Sequence, residues 1–383
     1  MSIVVALFVG MVISASEIVK DRNILKREAF LNLSYVSYIN SKVVYLFALS
    51  FIQVFTYVLV ANYLLKIENL NLSYIIILWT VACYANLTGL LISTILKSVT
   101  AIYIVIPFIL IPQILLAGVV VNFDKLHHIA ASQKYVPFIA DVITSRWAFE
   151  ALAINQYKNN EYQRLFFETD IKISACNYNL NIVFPDLIGL LNQTKSTVND
   201  TTNNALITHN LNIVKSTLLQ NDLVANFKDN KLLNTLSASN LTSGTLNKLY
   251  ALIDSRKQQI TKLKNSNTEL KDSLIFNIVN VKGENFFTEL KQTRFNQKLS
   301  DMVLNNNETT KSLIIKNQII RKYQPIYQLP EHRFGRSHFY APYKKLGEKY
   351  IPTEVFNTFL IWIFNFLLYI TIASGILQKV QKK

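Results

Sequence analysis

Histidine and cysteine are the residues in this sequence that most readily do chemistry, and their spacing supports none. Cys83 lies in an apolar stretch and Cys176 in a polar one, so neither a disulfide framework nor a C-x-x-C site is predicted. His332 and His338 are six residues apart without further ligands, which is a poor arrangement for a metal ion. The motifs G-x-x-x-x-G-K-[ST], G-x-S-x-G and H-E-x-x-H are absent from the sequence. We therefore expect this chain itself to have no metal site, no catalytic residue and no ATP-binding site.

Polar and helix-breaking residues inside apolar runs are the second kind of candidate. Pro107 and Pro112 lie five residues apart in one run, and each removes a backbone hydrogen bond. We expect a kinked helix that moves or lines a cavity, with Gln113 beside the second kink. Polar amides in other apolar runs, for which interhelical hydrogen bonding is the expected role, are Gln53, Asn86 and Asn365.

The elements that must position these residues are apolar runs of membrane-spanning length. Of the 383 residues, 51% are hydrophobic and only 16% are charged, whereas a soluble domain carries about 25% charged residues. A span needs about 20 apolar residues. The runs that reach this length are 43–65, 72–96, 99–121 and 356–377.

A further apolar run, 3–13, is too short to span a membrane and has two interpretations. It is either a signal peptide with a cleavage-like site at 13–15, or the end of a transmembrane helix whose beginning is missing. No positive charge precedes it, which favours the second interpretation and would make the chain a fragment.

Positive charges indicate the orientation of the spans. The segment 17–42 is basic, Lys97 lies between two spans and lysines end the chain, whereas the link around Glu68 has little charge. Because basic residues stay on the cytoplasmic side, we expect 17–42, Lys97 and the C-terminus to be cytoplasmic and 123–352 to be extracytoplasmic.

The long polar segment before the last span is predicted to be helical and basic. Residues 125–352 carry 29 Lys and Arg against 18 Asp and Glu, a net charge of +11. A Lys- and Asn-rich composition explains this charge most simply, attraction to acidic lipid headgroups or glycans is the alternative, and no nucleic-acid motif is present. Heptad spacing runs through Leu246, Leu249, Ile253, Arg256, Ile260, Leu263, Asn267, Leu270 and Leu274. Either a protruding antiparallel helical hairpin or an ordinary amphipathic core stripe would give this pattern.

Three segments resemble the permease of ABC-2 type ATP-binding cassette exporters, most closely the G subfamily. The first resembles the intracellular coupling-helix loop, and its matching residues are Glu17, Arg22, Lys26, Arg27, Glu28, Tyr35, Tyr38 and Lys42. The second, 117–122, is similar to the end of transmembrane helix 5, with Val119 and Val120 at the positions of the family's apolar plug and Asn122 after them. The third is similar to the re-entrant segment after that helix, and its matching residues are Arg146, Trp147, Glu150 and Asn155. This chain has Ser145 where the family often has Pro, and Gln156 where it has Glu.

The resemblance implies a permease that works as a dimer of permease halves, in contact with membrane lipids and an ATP-binding cassette domain. ATP and Mg would be bound by that ATPase domain, and this chain would bind no cofactor. The run 3–13 would be the end of helix 2, with helix 1 missing, so the chain would be a C-terminal fragment. The closing stretch 333–347, RFGRSHFYAPYKKLG, looks like that of Bacteroidetes-type members with a long periplasmic insertion, in a bacterial inner membrane.

We therefore predict an all-α polytopic membrane protein: an ABC-2 type transmembrane domain with a large, mainly helical extracytoplasmic insertion before the last transmembrane helix. The expected segments are a truncated helix end at 1–14, a coupling loop at 15–42, three transmembrane helices at 43–122, a re-entrant segment at 123–160, the insertion at 161–352 and the last helix with a tail at 353–383. The predicted function is the permease part of an ATP-driven exporter of a lipid-like or amphipathic substrate. The alternative is a non-transporting anchor that presents a helical outer domain to an envelope partner.

Overall fold

The computed structural model divides the chain into two compact units. It describes residues 1–28, 34–96, 98–120, 123, 134–197, 204–220, 233, 236 and 241–375. The membrane unit comprises Met1–Glu161, Thr293–Asn296 and Leu329–Lys383, and the insertion unit comprises Tyr162–Gln292 and Gln297–Gln328.

In chain order the helices are α1 Ser2–Ala15, α2 Glu17–Glu28, α3 Tyr35–Leu64, α4 Asn71–Ile95, α5 Val99–Leu115, α6 Phe138–Asp141, α7 Thr144–Asn159, α8 Phe167–Tyr178, α9 Phe184–Thr197, α10 Asn204–Gln220, α11 Ser243–Lys282, α12 Glu284–Arg294, α13 Gln297–Leu304 and α14 Thr353–Ala373. The strands form two antiparallel hairpins, β1 Ser312–Ile315 with β2 Gln318–Arg321 and β3 Tyr343–Leu346 with β4 Lys349–Pro352.

Four helical segments among the described residues are long and apolar enough to cross a membrane. They are Ser2–Leu25, Tyr35–Leu64, Asn71–Ile95 and Thr353–Ala373. The first of them contains the apolar run 3–13 and is longer than that run, so the segment has the length and composition of a span although the run alone does not. Only one turn residue, Ser16, separates α1 from α2, so the helical segment continues past the apolar run.

The helix expected at 99–121 is shorter than predicted. It is α5, Val99–Leu115, with 17 residues. Its last bond runs from the Leu116 amide to the Pro112 carbonyl, and Gly118 then takes a positive φ of 88°, which glycine adopts without strain. In addition, α3 begins at Tyr35, so the expected boundary at residue 43 falls inside a helix.

Helix α4 forms the centre of the membrane unit because small residues let α1 approach it closely. A Cβ on Gly10 would lie 2.7 Å from the Ala85 Cβ, and a Cβ on Gly89 would overlap the Ser14 hydroxyl. Small residues at helix contacts are the usual basis of packing in lipid, where no hydrophobic force draws helices together.

Two of the three intramembrane amides join helices, as expected from the sequence, whereas the Gln53 side chain has no hydrogen bond among the described residues. Asn86 Nδ2 donates to the Ser50 hydroxyl at 2.7 Å and to the Leu46 carbonyl at 3.2 Å, which links α4 to α3. Asn365 Nδ2 donates to the Thr80 carbonyl at 3.2 Å, which links α14 to α4. The bonds satisfy donors that would otherwise lie unpaired in the membrane.

The insertion unit has its own hydrophobic core, built around α11. A capping box between Thr242 and Thr245 starts this 40-residue helix. The heptad residues buried in the described structure are Leu246, Leu249, Ile253, Arg256, Ile260 and Asn267. The apolar ones pack in one core with residues of α8, α9 and α10, so this part of the pattern is a core stripe, whereas Leu270 is exposed.

Helices α8 and α9 form one continuous rod through a π-helical turn, Asn179–Val183. Pro185 lies just after this turn and has no amide hydrogen to donate to the preceding turn, which accounts for the local widening. The insertion is not purely helical, since the β1–β2 hairpin turns through Lys316 and Asn317, both at positive φ.

Residues 329–352 were expected to be part of the insertion, but they pack with the membrane unit. The reason is the β3–β4 hairpin, whose Lys344 is fully buried against Glu150 of α7. A buried lysine needs a carboxylate partner, and α7 supplies it.

Candidate functional site

Four buried or partly buried charges and one amide meet where α7, β3 and α14 pack together. We call this set, Asp141, Arg146, Glu150, Lys344 and Asn357, the outer charge cluster. Lys344 Nζ lies 2.8 Å from one Glu150 carboxylate oxygen, and Asn357 Nδ2 donates to the other oxygen at 3.0 Å. Arg146 lies 3.7 Å from Glu150 and 3.5 Å from Asp141. The cluster therefore ties α7 to β3 and α14, which lie about 200 residues further along the chain.

The side chain of Arg146 is held by aromatic rings as well as by carboxylates. Its guanidinium carbon lies 3.7 Å from the centre of the Trp147 ring and 6.0 Å from that of Phe339. Trp147 in turn donates through Nε1 to the Asp141 carbonyl at 2.7 Å. A guanidinium stacked in this way is desolvated at low cost, which explains how Arg146 can be buried.

Burial and charge act in opposite directions on the pKa of Glu150. Burial raises this pKa, but Lys344 and Arg146, with hydrogen bonds from Lys344 and Asn357, hold it below its usual range. Burial lowers the pKa of Lys344 to about 8 against the pull of Glu150, so the ammonium is still charged at neutral pH.

The start of α7 is fixed to α5 by Gln113 and Ser145. The Ser145 amide donates to Gln113 Oε1 at 3.0 Å, and the Ser145 hydroxyl donates to the Gln113 carbonyl. A proline at 145 has neither donor, so the departure from the family pattern creates a link between the two helices. Gln113 thus caps α7. The membrane unit has one cavity of about 430 Å³ and another of about 240 Å³, and neither of these two is lined by Pro107, Pro112 or Gln113.

Asn155 is buried in α7 but does not belong to the outer charge cluster. Its Oδ1 accepts from Asn159 Nδ2 at 2.7 Å, and Asn159 also donates to Glu354 at the start of α14 at 3.3 Å. Asn155 therefore supports a second contact between α7 and α14.

A separate polar group joins α2 to α3. We call it the α2–α3 polar cluster: Lys42 Nζ lies 2.8 Å from both Glu17 and Asp21, and the Tyr38 hydroxyl donates to Asp21 at 2.9 Å. The Ser93 hydroxyl of α4 accepts from two amides in the first turn of α2, each at 3.1 Å. These amides have no partner within their own helix, so Ser93 acts as a cap supplied by another helix.

The other residues of the expected coupling segment have varied surroundings. Arg22 donates to the Leu96 carbonyl at 3.4 Å, Arg27 is exposed, and Tyr35 packs beside the α3–α4 core. The side chains of Lys26 and Glu28 lie outside the described residues.

The expected plug residues follow the end of α5. Val119 and Val120 are 49% and 61% exposed, so no described residue of this chain covers them fully. Asn122 lies outside the described residues. Pro107 and Pro112 lie inside α5, whose exposed face includes Phe108.

Sequence reasoning missed Asp141, Lys344 and Asn357 of the outer charge cluster and Asp21 of the α2–α3 polar cluster. Asn357 lies in an apolar run and could have been noticed by the rule that identified Asn365. Lys344 gave no local signal, because its partner Glu150 is 194 residues away. Ser93, which caps α2, was also missed for want of a local signal.

The contacts of both clusters hold helices of the membrane unit together. In the described part of the chain, no three His, Cys, Asp or Glu side chains are placed to hold a metal ion. No curated protein and no solved structure matches the chain. The family model described as ABC-2 type transporter matches residues 1–157, which carry α1 to α6 and almost all of α7. Residues 1–157 are therefore similar to the membrane domain of ABC-2 type transporters, and this match together with the long apolar helices of the described residues indicates a multi-pass membrane protein of the permease type.

Proposed function

We propose that this chain is the permease part of an ATP-driven exporter that moves a lipid-like or amphipathic substrate across the plasma (bacterial inner) membrane. The observation that supports it best is the family match over α1 to α7, in which α2 is tied to both α3 and α4. A helix held on two sides can pass a displacement from an ATPase to the spans above it.

The contacts supply a mechanical route through the membrane unit. A push on α2 would reach α3 through Lys42 and α4 through Ser93. At the other end, α5 is tied to α7 through Gln113, and α7 to α14 through Glu150 and Asn357. Because the links among α5, α7 and α14 are buried hydrogen bonds and ion pairs, these helices are expected to move together, whereas the partly exposed ion pairs of Lys42 let α2 adjust against α3.

The exit of the route is proposed to lie at Val119 and Val120. In a dimer of permease halves, these exposed side chains would meet their copies and form an apolar plug above the substrate cavity. Valine is smaller than the leucine common in this family, so the plug would be smaller too. Pro107 and Pro112 would let α5 bend as the plug opens, and Asn122 would follow the plug.

The proposed orientation places α2 and the C-terminus in the cytoplasm and residues 123–352 outside, as in a Bacteroidetes-type member of the G subfamily. The ATP-binding cassette partner would bind ATP and Mg beneath α2. The insertion unit would gate, dimerise or hand substrate on.

The test is transport by the complex of this chain with its ATPase partner in proteoliposomes. We expect ATP-dependent movement of a fluorescent phospholipid or of rhodamine 6G, and a changed rate in the double variant Val119→Ala, Val120→Ala. Val44→Ala is the control, because Val44 is 69% exposed on α3 and far from the plug in sequence. If neither probe moves with ATP and the double variant matches the control, the exporter proposal is refuted.

A non-transporting anchor is the second candidate, supported by the independent core of the insertion unit. Leu187, Leu249 and Ile253 are fully buried there, as expected of a module that folds to present a surface. In that case, deleting the insertion would abolish binding of an envelope partner, and neither the full chain nor the deletion variant would show ATP-dependent transport.

A further inference from the structure

Two cavities of the membrane unit meet between α1 and α3. One is a slot of about 240 Å³ between α1, α3 and α4, and the other is a vestibule of about 430 Å³ where α3 ends. Ser2, Tyr57 and Leu78 line both, so slot and vestibule form one continuous space, which we call the α1–α3 cleft. The vestibule alone has the size of a small-molecule site.

The slot is apolar apart from a few polar groups. Val5 and Val9 of α1 face Val54 of α3 across it. Gln53 of α3 also lines the slot, and its side-chain amide has no hydrogen-bond partner among the described residues. An unpartnered amide within a membrane span is costly, so a polar group on a bound molecule would stabilise it.

The vestibule carries two cations and two carboxylates. Arg294 pairs with both Glu68 and Glu161, the second at 3.2 Å, so one guanidinium serves two carboxylates. Lys66 also lines the vestibule, and its ammonium has no ion pair in the described part of the chain. The space therefore offers a cation for a phosphate and surplus negative charge for an ammonium, which is the complement of a zwitterionic headgroup.

The length of the cleft suits one lipid molecule. Gln53 and Lys66 are thirteen residues apart along α3 and its end, which is about 20 Å at the rise of an α-helix. Half of the hydrocarbon core of a bilayer is about 15 Å, so the cleft extends through one leaflet into the headgroup layer.

We propose that the α1–α3 cleft binds one zwitterionic phospholipid, with an acyl chain in the slot, an ester oxygen near Gln53 or Tyr57, and the headgroup between Lys66 and Glu161. The site lies within one chain and does not depend on the proposed transport. It requires only that α1, α3 and α4 span a membrane.

The test is native mass spectrometry of the full chain purified in detergent, with phosphatidylethanolamine or phosphatidylglycerol added back after delipidation. We expect one phosphatidylethanolamine to stay bound under activation that removes loosely held lipid. Val9→Trp fills the slot and should abolish this retention, whereas Val44→Trp, an equal change on an exposed site of α3, should keep it. Lys66→Glu changes only an exposed side chain and should weaken retention about two- to five-fold, as for an exposed charge pair.

Three results would overturn the proposal. Equal retention in Val9→Trp and the wild type would place the lipid elsewhere. Preference for phosphatidylglycerol that Lys66→Glu leaves unchanged would contradict the zwitterionic site. No retained lipid, with Gln53→Cys protected from a membrane-permeant maleimide, would show that a protein helix or a second copy occupies the cleft.

Discussion

Replacing Lys344 by Met removes a buried cation but keeps a long side chain. The Lys344 ammonium is fully buried 2.8 Å from Glu150, which is itself fully buried. The variant leaves this carboxylate with Asn357 at 3.0 Å and Arg146 at 3.7 Å as its partners. Breaking a buried pair by removing one partner costs about 3–5 kcal/mol, because an uncompensated charge stays behind. Since Arg146 remains, we expect the lower end, about 3 kcal/mol.

The next residue along the strand provides a matched control. Lys345 pairs with Glu348 at 3.6 Å; the Lys345 side chain is 18% exposed and the Glu348 side chain 72% exposed, so water reaches this pair at Glu348. Exposed pairs contribute at most about 1 kcal/mol, so Lys345→Met should barely change stability. In the double variant Lys344→Met, Glu150→Gln the uncompensated charge is gone, and we expect a smaller loss than for Lys344→Met alone.

Thermal unfolding of the full chain in detergent, followed by tryptophan fluorescence, measures these differences. Trp147 stacks on Arg146 and so reports on the cluster itself. Equal falls in unfolding temperature for Lys344→Met and Lys345→Met would refute this prediction. So would a loss in the double variant equal to the sum of the losses in Lys344→Met and Glu150→Gln measured singly.

Further predictions concern helix packing, pH and the link between α5 and α7. Gly89→Ala places a Cβ against α1 and should lower the free energy of unfolding by about 1–3 kcal/mol. The control is Gly189→Ala in α9, where no atom lies within 4 Å of the new Cβ; it should be neutral or stabilising in the same thermal assay. The pKa of Glu150 is lowered on folding, so its contribution to stability is present above the unfolded pKa of about 4.3 and is lost as pH falls through the folded pKa. The unfolding temperature of the wild type should therefore fall more steeply below pH 4 than that of Glu150→Gln, and parallel curves would contradict this. Ser145→Pro introduces the residue common in the family but removes two hydrogen bonds to Gln113, so it should lower stability by about 1–3 kcal/mol. An unchanged unfolding temperature would show that this link does not stabilise the protein.

The sequence predicted those parts of the fold that depend on local periodicity and composition. The heptad stripe of α11 through Ile260 is buried, and the amides Asn86 and Asn365 join helices as expected. These features could be predicted because a 3.6-residue period or a polar group in an apolar run carries its meaning within a few turns.

The features that the sequence did not predict depend on pairings over long distances. Lys344 looked like one of many exposed lysines, and only the packing of β3 against α7 buries it beside Glu150. The end of α5 was placed too late because an apolar run does not show where the helix stops, and that point is set by the turn at Gly118. Of the expected site, the sequence identified Arg146 and Glu150 but not the residues that complete their cluster.

The two charged clusters of the membrane unit differ in their exposure to water, and this bears on which of them can move. The α2–α3 polar cluster is about a quarter exposed, so water can replace its ion pairs at little cost. In the outer charge cluster the Glu150–Lys344 pair is fully buried, and separating its charges would cost several kcal/mol. A displacement of α2 is therefore expected to loosen at Lys42 before α7 separates from α14. It follows that α7, β3 and α14 move as one body, and that the adjustable joint of the membrane unit lies at α2.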